Sequence, residues 1–249
     1  MASNTDTEFP QFSLIRTFLL SVLPGVLSTL AFLLLQRILA PLPYPPLLAF
    51  LLAILLVDLP LLIGLMLYEG KRLNGRYSLE GIVLYREKVP WKRFALIFAG
   101  AFIVVFIVLN SLTPLNTLIS EGAFSWLPQW MFLEEQSQYE AYGKNVLVLL
   151  FTLQLLLTGI LLPWIEELYF RGYLLPRISR YRLWAPLLGG LFFALYHFWA
   201  LYGFLTVFLL GSVLGYIVWW TRDIRLSISL HVFANTLVRL MFLMAALAL

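Results

Sequence analysis

The sequence predicts an all-α polytopic membrane protein, a transmembrane helical bundle of about seven spans. Of the 249 residues, 61% are hydrophobic and only 12% are charged, and the mean hydropathy is +0.89. A soluble domain carries roughly twice that charged fraction, about 25%. Several apolar runs also reach the length of about 20 residues that an α-helix needs to cross a bilayer.

The apolar runs predict seven spans, at residues 13–36, 46–68, 94–112, 145–174, 184–200, 203–220 and 226–248. The fifth run is short enough to be tilted or partly re-entrant. The fourth is longer than a bilayer requires, so its C-terminal turns are expected to project into water or to be shielded by neighbouring helices. Residues 1–249 are expected to form a single integral membrane domain.

The distribution of basic residues predicts the orientation. With the N-terminus in the cytoplasm, 13 Lys and Arg residues fall in cytoplasmic segments and two fall outside. Cytoplasmic loops are enriched in Lys and Arg, so we expect a cytoplasmic N-terminus and an extracytoplasmic C-terminus. The expected location is the plasma membrane if the source is prokaryotic.

Composition also excludes several classes of function. The chain has no cysteine, which rules out disulfides, thiol nucleophiles, iron–sulfur clusters and thiolate zinc sites. The net charge of +4 is not gathered into a basic patch with interleaved aromatic residues, so no nucleic-acid partner is expected. The expected partners are the lipid bilayer and a peptide substrate, and the oligomeric state is not predicted.

Ionisable residues inside the spans are the candidates for function. Each costs at least about 2.5–3.5 kcal/mol at mid-helix, so it must face protein or a water-filled cavity. Both histidines of the chain lie inside spans. Counted from the predicted cytoplasmic ends at 1.5 Å per residue, Glu166 lies roughly 15 Å deep, His197 roughly 20 Å and His231 roughly 8 Å. Three helices therefore bring polar groups to the cytoplasmic half, where a cavity opening toward the cytoplasm is expected.

Helical spacing separates the two adjacent glutamates. Residues four apart share a helix face, so Glu167 is expected to pair with Arg171. Glu166 points about 100° away and is left without a local cation. A carboxylate without a cation, near two histidines, suits general-base chemistry.

The same spacing places an aromatic ring and an amide beside the histidines. Phe193 and His197 share one face, and His231 and Asn235 share another. Asp58, in the second span, is expected to make a structural hydrogen bond.

Three uses of these residues remain open. Glu166 and His197 can activate a water while His231 and Asn235 stabilise an oxyanion. Alternatively, Glu166 and the two histidines can bind a catalytic zinc ion. The third use is a polar cluster that locks helices together or relays protons. Other protease chemistries lack their residues, because neither G-x-S-x-G nor H-E-x-x-H occurs and a single aspartate lies in a span.

Three short motifs resemble one known family. E-E-x-x-x-R at residues 166–171, F-x-x-x-H at 193–197 and H-x-x-x-N at 231–235 are similar to motifs of the CPBP family, which comprises type II CAAX prenyl endopeptidases and bacterial Abi-like relatives. The resemblance covers a core at residues 144–240. Residues 1–143, with three spans, carry no motif.

The resemblance implies an intramembrane glutamic endopeptidase that needs no cofactor and no metal. It implies that Glu166 activates water with the aid of His197, and that His231 and Asn235 form the oxyanion site. The supporting residues are expected to be Glu167, Arg171 and Phe193.

The resemblance leaves the substrate and some alternatives open. The implied substrate is a membrane-associated peptide: a prenylated C-terminus, a leader or pheromone peptide, or an anchored tail. The alternatives are a non-proteolytic scaffold or regulator of the same family and a zinc-dependent membrane protease. Family members commonly have an eighth span, so a chain with seven is expected to differ in one cavity wall or in its oligomeric state.

Overall fold

The computed structural model describes residues 10–133 and 135–249, and in these residues it is an all-helical bundle without a β-strand. Its helices are α1 (Leu14–Leu39), α2 (Leu47–Asn74), α3 (Trp91–Glu121), α4 (Lys144–Tyr181), α5 (Trp184–Tyr196), α6 (Phe198–Thr221) and α7 (Ile224–Ala248). All but the 13-residue α5 are long and apolar enough to cross a membrane. The predicted polytopic helical bundle is confirmed.

Five helices differ from the predicted spans by four residues or more. α2 and α4 continue to Asn74 and Tyr181, past the predicted ends at residues 68 and 174, and α6 begins at Phe198 rather than at residue 203. α3 continues to Glu121, beyond the predicted end at residue 112. In its polar end, Asn110 and Thr113 donate side-chain hydrogen bonds to carbonyls one turn earlier. α5 ends at Tyr196 rather than at residue 200, because His197 leaves the helical conformation with φ −73° and ψ 49°.

Three π-helical turns occur among the residues described, Ile54–Asp58 in α2 and Leu155–Leu161 and Leu168–Leu174 in α4. Such turns interrupt the regular i→i−4 ladder and are frequent at functional sites. The first ends at Asp58, and the other two flank the short α-helical stretch that carries Glu166 and Glu167. The irregular parts of the backbone therefore coincide with the predicted polar residues.

Glycines allow two helix crossings to be unusually close. A Cβ built on Gly25 of α1 would lie 1.8 Å from the carbonyl oxygen of Tyr196 at the end of α5. A Cβ built on Gly190 of α5 would lie 2.2 Å from the hydroxyl oxygen of Ser212 on α6. Small residues let helix backbones approach closely in membranes, where packing contacts drive association. These crossings fix α5 against both neighbours just before His197.

The connection between α2 and α3 is anchored in one end of the bundle. Ile82 is fully buried, and the Leu84 N–H donates to the carbonyl of Gly172 over 2.9 Å. Arg86 forms an isolated β-bridge with Asp223, in the turn between α6 and α7. The basic segments predicted to share the cytoplasmic side therefore contact one another at the same end of the bundle.

Asp223 holds this connection in place. Its carboxylate accepts hydrogen bonds from the backbone N–H of Val89, at 2.9 Å, and of Arg225, at 3.1 Å. Burial opposes ionisation, but the hydrogen bonds from Arg225 and Val89 outweigh it and lower the pKa of Asp223. The ionised side chain caps the start of α7 while binding the α2–α3 connection.

Replacing Gly25 with alanine is expected to lower the thermal unfolding midpoint, because the added Cβ must displace the backbone of Tyr196. Overpacking of this kind costs about 1–3 kcal/mol. Gly64→Ala on α2 is the matched control, since nothing lies within 4 Å of its Cβ position. Thermal unfolding of the purified protein in detergent, followed by tryptophan fluorescence, measures both variants. Equal midpoints would contradict the close crossing.

Candidate active site

The carboxylate of Glu166 lies between the two histidines. Its residue is only 2% exposed, within the short α-helical stretch of α4. Oε1 is 3.9 Å from Nε2 of His197, and Oε2 is 3.8 Å from Nε2 of His231. These distances are too long for direct hydrogen bonds. Among residues 10–133 and 135–249, nothing hydrogen-bonds to the buried Oε1, so Glu166 is desolvated by the fold yet available to a further group.

The ring of His197 is oriented by the backbone of α5. Because a carbonyl oxygen can only accept, the 2.8 Å contact between Nδ1 and the carbonyl of Phe193 makes Nδ1 the donor. In the neutral imidazole this leaves Nε2 as an acceptor facing Glu166. The Phe193 ring packs edge-on against the imidazole with centroids 4.6 Å apart. The predicted aromatic wall beside His197 is therefore present.

Glu167 and Arg171 form a buried ion pair. Nη1 of Arg171 lies 2.9 Å from Oε1 of Glu167, and their side chains are 3% and 0% exposed. The second guanidinium nitrogen, Nη2, donates to the carbonyl of Gly211 on α6 over 2.9 Å. The guanidinium also lies 4.3 Å from the centroid of the Phe193 ring. The predicted i,i+4 pairing is confirmed, and it contacts two further helices.

The same Glu167 orients His231. Oε1 of Glu167 lies 2.8 Å from Nδ1 of His231 on α7. With Glu167 ionised by its pairing with Arg171, Nδ1 is the donor and Nε2 faces Glu166. A carboxylate that fixes the tautomer and the direction of an imidazole is a recurring catalytic device. The two glutamates therefore have different partners, although they are adjacent in sequence.

Asn235 lies one turn beyond His231 on α7. Its Nδ2 donates to the carbonyl of Thr158 over 3.3 Å, and the neighbouring Thr236 hydroxyl donates to the carbonyl of Gly159 over 3.2 Å. Both carbonyls belong to the π-helical turn Leu155–Leu161. The amide has two donor hydrogens, so one remains for another acceptor.

Sequence reasoning missed Tyr196, which lies next to His197 and is fully buried. Its hydroxyl donates to Oδ2 of Asp58 and also lies within hydrogen-bonding reach of the Glu166 carboxylate. Oδ1 of Asp58 accepts from the hydroxyl of Ser28 on α1, over 2.9 Å. The structural hydrogen bond expected of Asp58 is confirmed, and it reaches the candidate site. Apart from its position beside His197, Tyr196 carries no signal in the sequence.

The donor geometry bears on the zinc alternative. In the part of the chain that the structure describes, no three His, Asp or Glu side chains are arranged to share a metal ion. Nδ1 of His231 is already bonded to Glu167, and both Nε2 atoms lie 3.8–3.9 Å from Glu166. Zinc holds nitrogen and oxygen ligands about 2.0–2.2 Å away, and its tetrahedral geometry places two of them about 3.4 Å apart, so removal of metal by a chelator is the test of this alternative.

The helices that carry the candidate site match a known protein family. Residues 148–237 match the family model described as "Type II CAAX prenyl endopeptidase Rce1-like". The chain carries an Rce1-like domain. This domain is consistent with the CPBP family that the three motifs resemble, and it includes every predicted site residue. The curated proteins gave no match, and neither did the solved structures.

The Rce1-like domain supports the assignment of the protein as a membrane endopeptidase. It covers 90 of the 249 residues, from within α4 to within α7. Helices α1 and α2, which contribute Ser28 and Asp58 to the candidate site, lie outside it. The site is therefore assembled from the matched domain and from helices that precede it.

The different partners of the two glutamates predict different effects on stability. Glu167→Gln is expected to lower the thermal unfolding midpoint, because it leaves the buried Arg171 without its counterion; breaking a buried pair costs on the order of 3 kcal/mol. Glu166→Gln is expected to leave the midpoint unchanged or to raise it, because it removes a buried charge without a cation of its own. Thermal unfolding in detergent compares the two variants, and equal losses would refute the distinction.

Proposed function

We propose that this protein is an intramembrane endopeptidase in which Glu166 activates the hydrolytic water. The observation that carries the proposal is a buried carboxylate with the Nε2 atoms of His197 and His231 at 3.9 and 3.8 Å. A general base needs a group that can take a proton from water in a site closed to bulk solvent. Glu166 meets this requirement, whereas Glu167 is already occupied by Arg171 and His231.

The reaction begins with a water hydrogen-bonded to Glu166 and to Nε2 of His197, both of which accept. The water oxygen attacks the carbonyl carbon of the peptide bond, and one water proton passes to Glu166. The tetrahedral intermediate then collapses, the carbon–nitrogen bond breaks, and Glu166 returns the proton to the departing amine. The carboxylate is thereby regenerated, and no group of the protein is consumed.

The oxyanion of the intermediate is assigned to His231 and Asn235. His231 can donate from Nε2 when both ring nitrogens carry protons, with the Glu167 carboxylate as its counterion. Asn235 offers the amide hydrogen that is not bonded to the carbonyl of Thr158. Removing one hydrogen-bond donor from an oxyanion site typically lowers kcat by about 10²–10³-fold. Phe193 packs edge-on against both imidazoles, with ring centroids 4.6 Å from that of His197 and 5.9 Å from that of His231.

The proposed substrate is a peptide or C-terminal tail held at the membrane, reached from the cytoplasmic side. The integral membrane location and the Rce1-like domain support a membrane-bound substrate. The clustering of the basic segments at one end of the bundle supports the orientation, because such segments face the cytoplasm. Comparing prenylated with unmodified peptides tests whether the tail carries a prenyl group.

Glu166→Gln is expected to abolish cleavage, with a loss of at least about 100-fold in kcat, because glutamine cannot accept the proton of water. The measurement uses the purified protein in nanodiscs with a panel of fluorogenic peptides, prenylated and unmodified. Glu140→Gln, at an exposed position in the connection before α4, is the control and should cleave as the wild type does. His197→Ala should lower kcat as well, since it removes the second acceptor of the water.

Three outcomes would overturn the proposal. Full cleavage by both Glu166→Gln and His197→Ala would remove the basis of the mechanism. Loss of activity in a chelator, restored by added zinc, would replace it with metal-dependent hydrolysis. A Glu166→Gln variant that fully complements loss of the gene would instead indicate a scaffold or regulator.

A further inference from the structure

Asp58 is a buried carboxyl group that the proposed mechanism does not use. It is 0% exposed and lies at the end of the π-helical turn in α2. Its two oxygens accept from the hydroxyls of Ser28 and Tyr196. In residues 10–133 and 135–249, no basic side chain pairs with it. Burying a carboxyl group that is satisfied by two hydroxyls alone costs folding free energy. Asp58 bears this cost at a position next to the candidate site.

The Tyr196 hydroxyl bonds to Asp58 and also interacts with Glu166. A phenolic hydroxyl has a single hydrogen to donate, so it can serve only one of the two carboxyl groups at a time. While Asp58 accepts that hydrogen, the Tyr196 oxygen presents its lone pairs to Glu166.

We infer that Asp58 and Tyr196 form a positioning pair that keeps Glu166 free to take the proton of the reacting water; this inference rests on the proposed role of Glu166 as the base. With the hydrogen directed at Asp58, Tyr196 does not block Glu166, whose Oε1 has no hydrogen-bond partner among the described residues. The pair therefore favours the unblocked base before attack.

The packing around Tyr196 suits this role. The close crossing at Gly25 holds its backbone, and the rings of Phe170 and His197 lie 5.1 and 5.0 Å from its own. Its ring therefore has little freedom to turn, and the choice between Asp58 and Glu166 is made by rotation of the hydroxyl hydrogen alone.

Removing the acceptor tests the inference. In Asp58→Ala, the Tyr196 hydroxyl is released to donate to Glu166, and kcat is expected to fall about 10-fold with KM unchanged, the effect of one hydrogen bond to a charged group. In the Tyr196→Phe background the hydroxyl is absent, so Asp58→Ala should change kcat less than about 2-fold. This non-additivity is what a double-mutant cycle measures. Ser21→Ala is the control, because Ser21 is a buried serine of α1 whose hydroxyl donates to the carbonyl of Thr17 in its own helix, and it should leave kcat unchanged.

The cycle can also be run with Asp58→Asn, which keeps the side-chain volume if the alanine variant does not fold. An amide is a weaker acceptor than a carboxylate, so this variant should lower kcat in the same direction and be suppressed by Tyr196→Phe. Equal losses in both backgrounds, or a rise in KM alone, would show a merely structural role and overturn the inference. If Glu166→Gln is inactive but the cycle shows no coupling between Asp58 and Tyr196, only the positioning pair is refuted. Cleavage by Glu166→Gln refutes the proposed function itself.

Discussion

The buried ion pair between Glu167 and Arg171 is the interaction on which the rest of the site depends. Charges removed from water are tolerated only when they are paired and their remaining donors are satisfied. Arg171 meets this requirement through Glu167, the Gly211 carbonyl on α6 and the face of Phe193 on α5. Glu167 in turn holds His231 on α7. One pair within α4 thus determines where three other helices place their groups.

The pair also explains why two adjacent carboxylates have opposite properties. Consecutive residues on a helix point about 100° apart, so a single cation one turn later can serve only one of them directly. Glu167 forms the ion pair with Arg171, and it also bonds to His231 on a neighbouring helix. Glu166 faces the two imidazoles at distances beyond hydrogen bonding. The reactivity proposed for Glu166 therefore follows from the pairing of Arg171 with Glu167 instead.

Local patterns in the sequence predicted what is local in the structure. Apolar runs gave the seven helices, and i,i+4 spacing gave the Glu167–Arg171 pair and the contact of Phe193 with His197. The contact between Tyr196 and Asp58 joins residues 138 positions apart and has no period to reveal it. The extended end of α3 and the break at His197 were also missed, because hydropathy does not fix the residue at which a helix ends.

The contribution of α1 and α2 changes how the motif-bearing region should be regarded. Residues 148–237 contain every group proposed to touch the substrate, yet the site has three buried carboxyl groups and one guanidinium. In a low-dielectric interior, carboxylates without cations are costly, and the cost must be met by hydrogen-bond donors. Ser28 is one such donor and lies outside the matched domain, as does the Asp58 that it serves. Asp58 also accepts from Tyr196 of the matched domain, so the buried polar network extends into the preceding helices and the motifs alone do not define the functional unit.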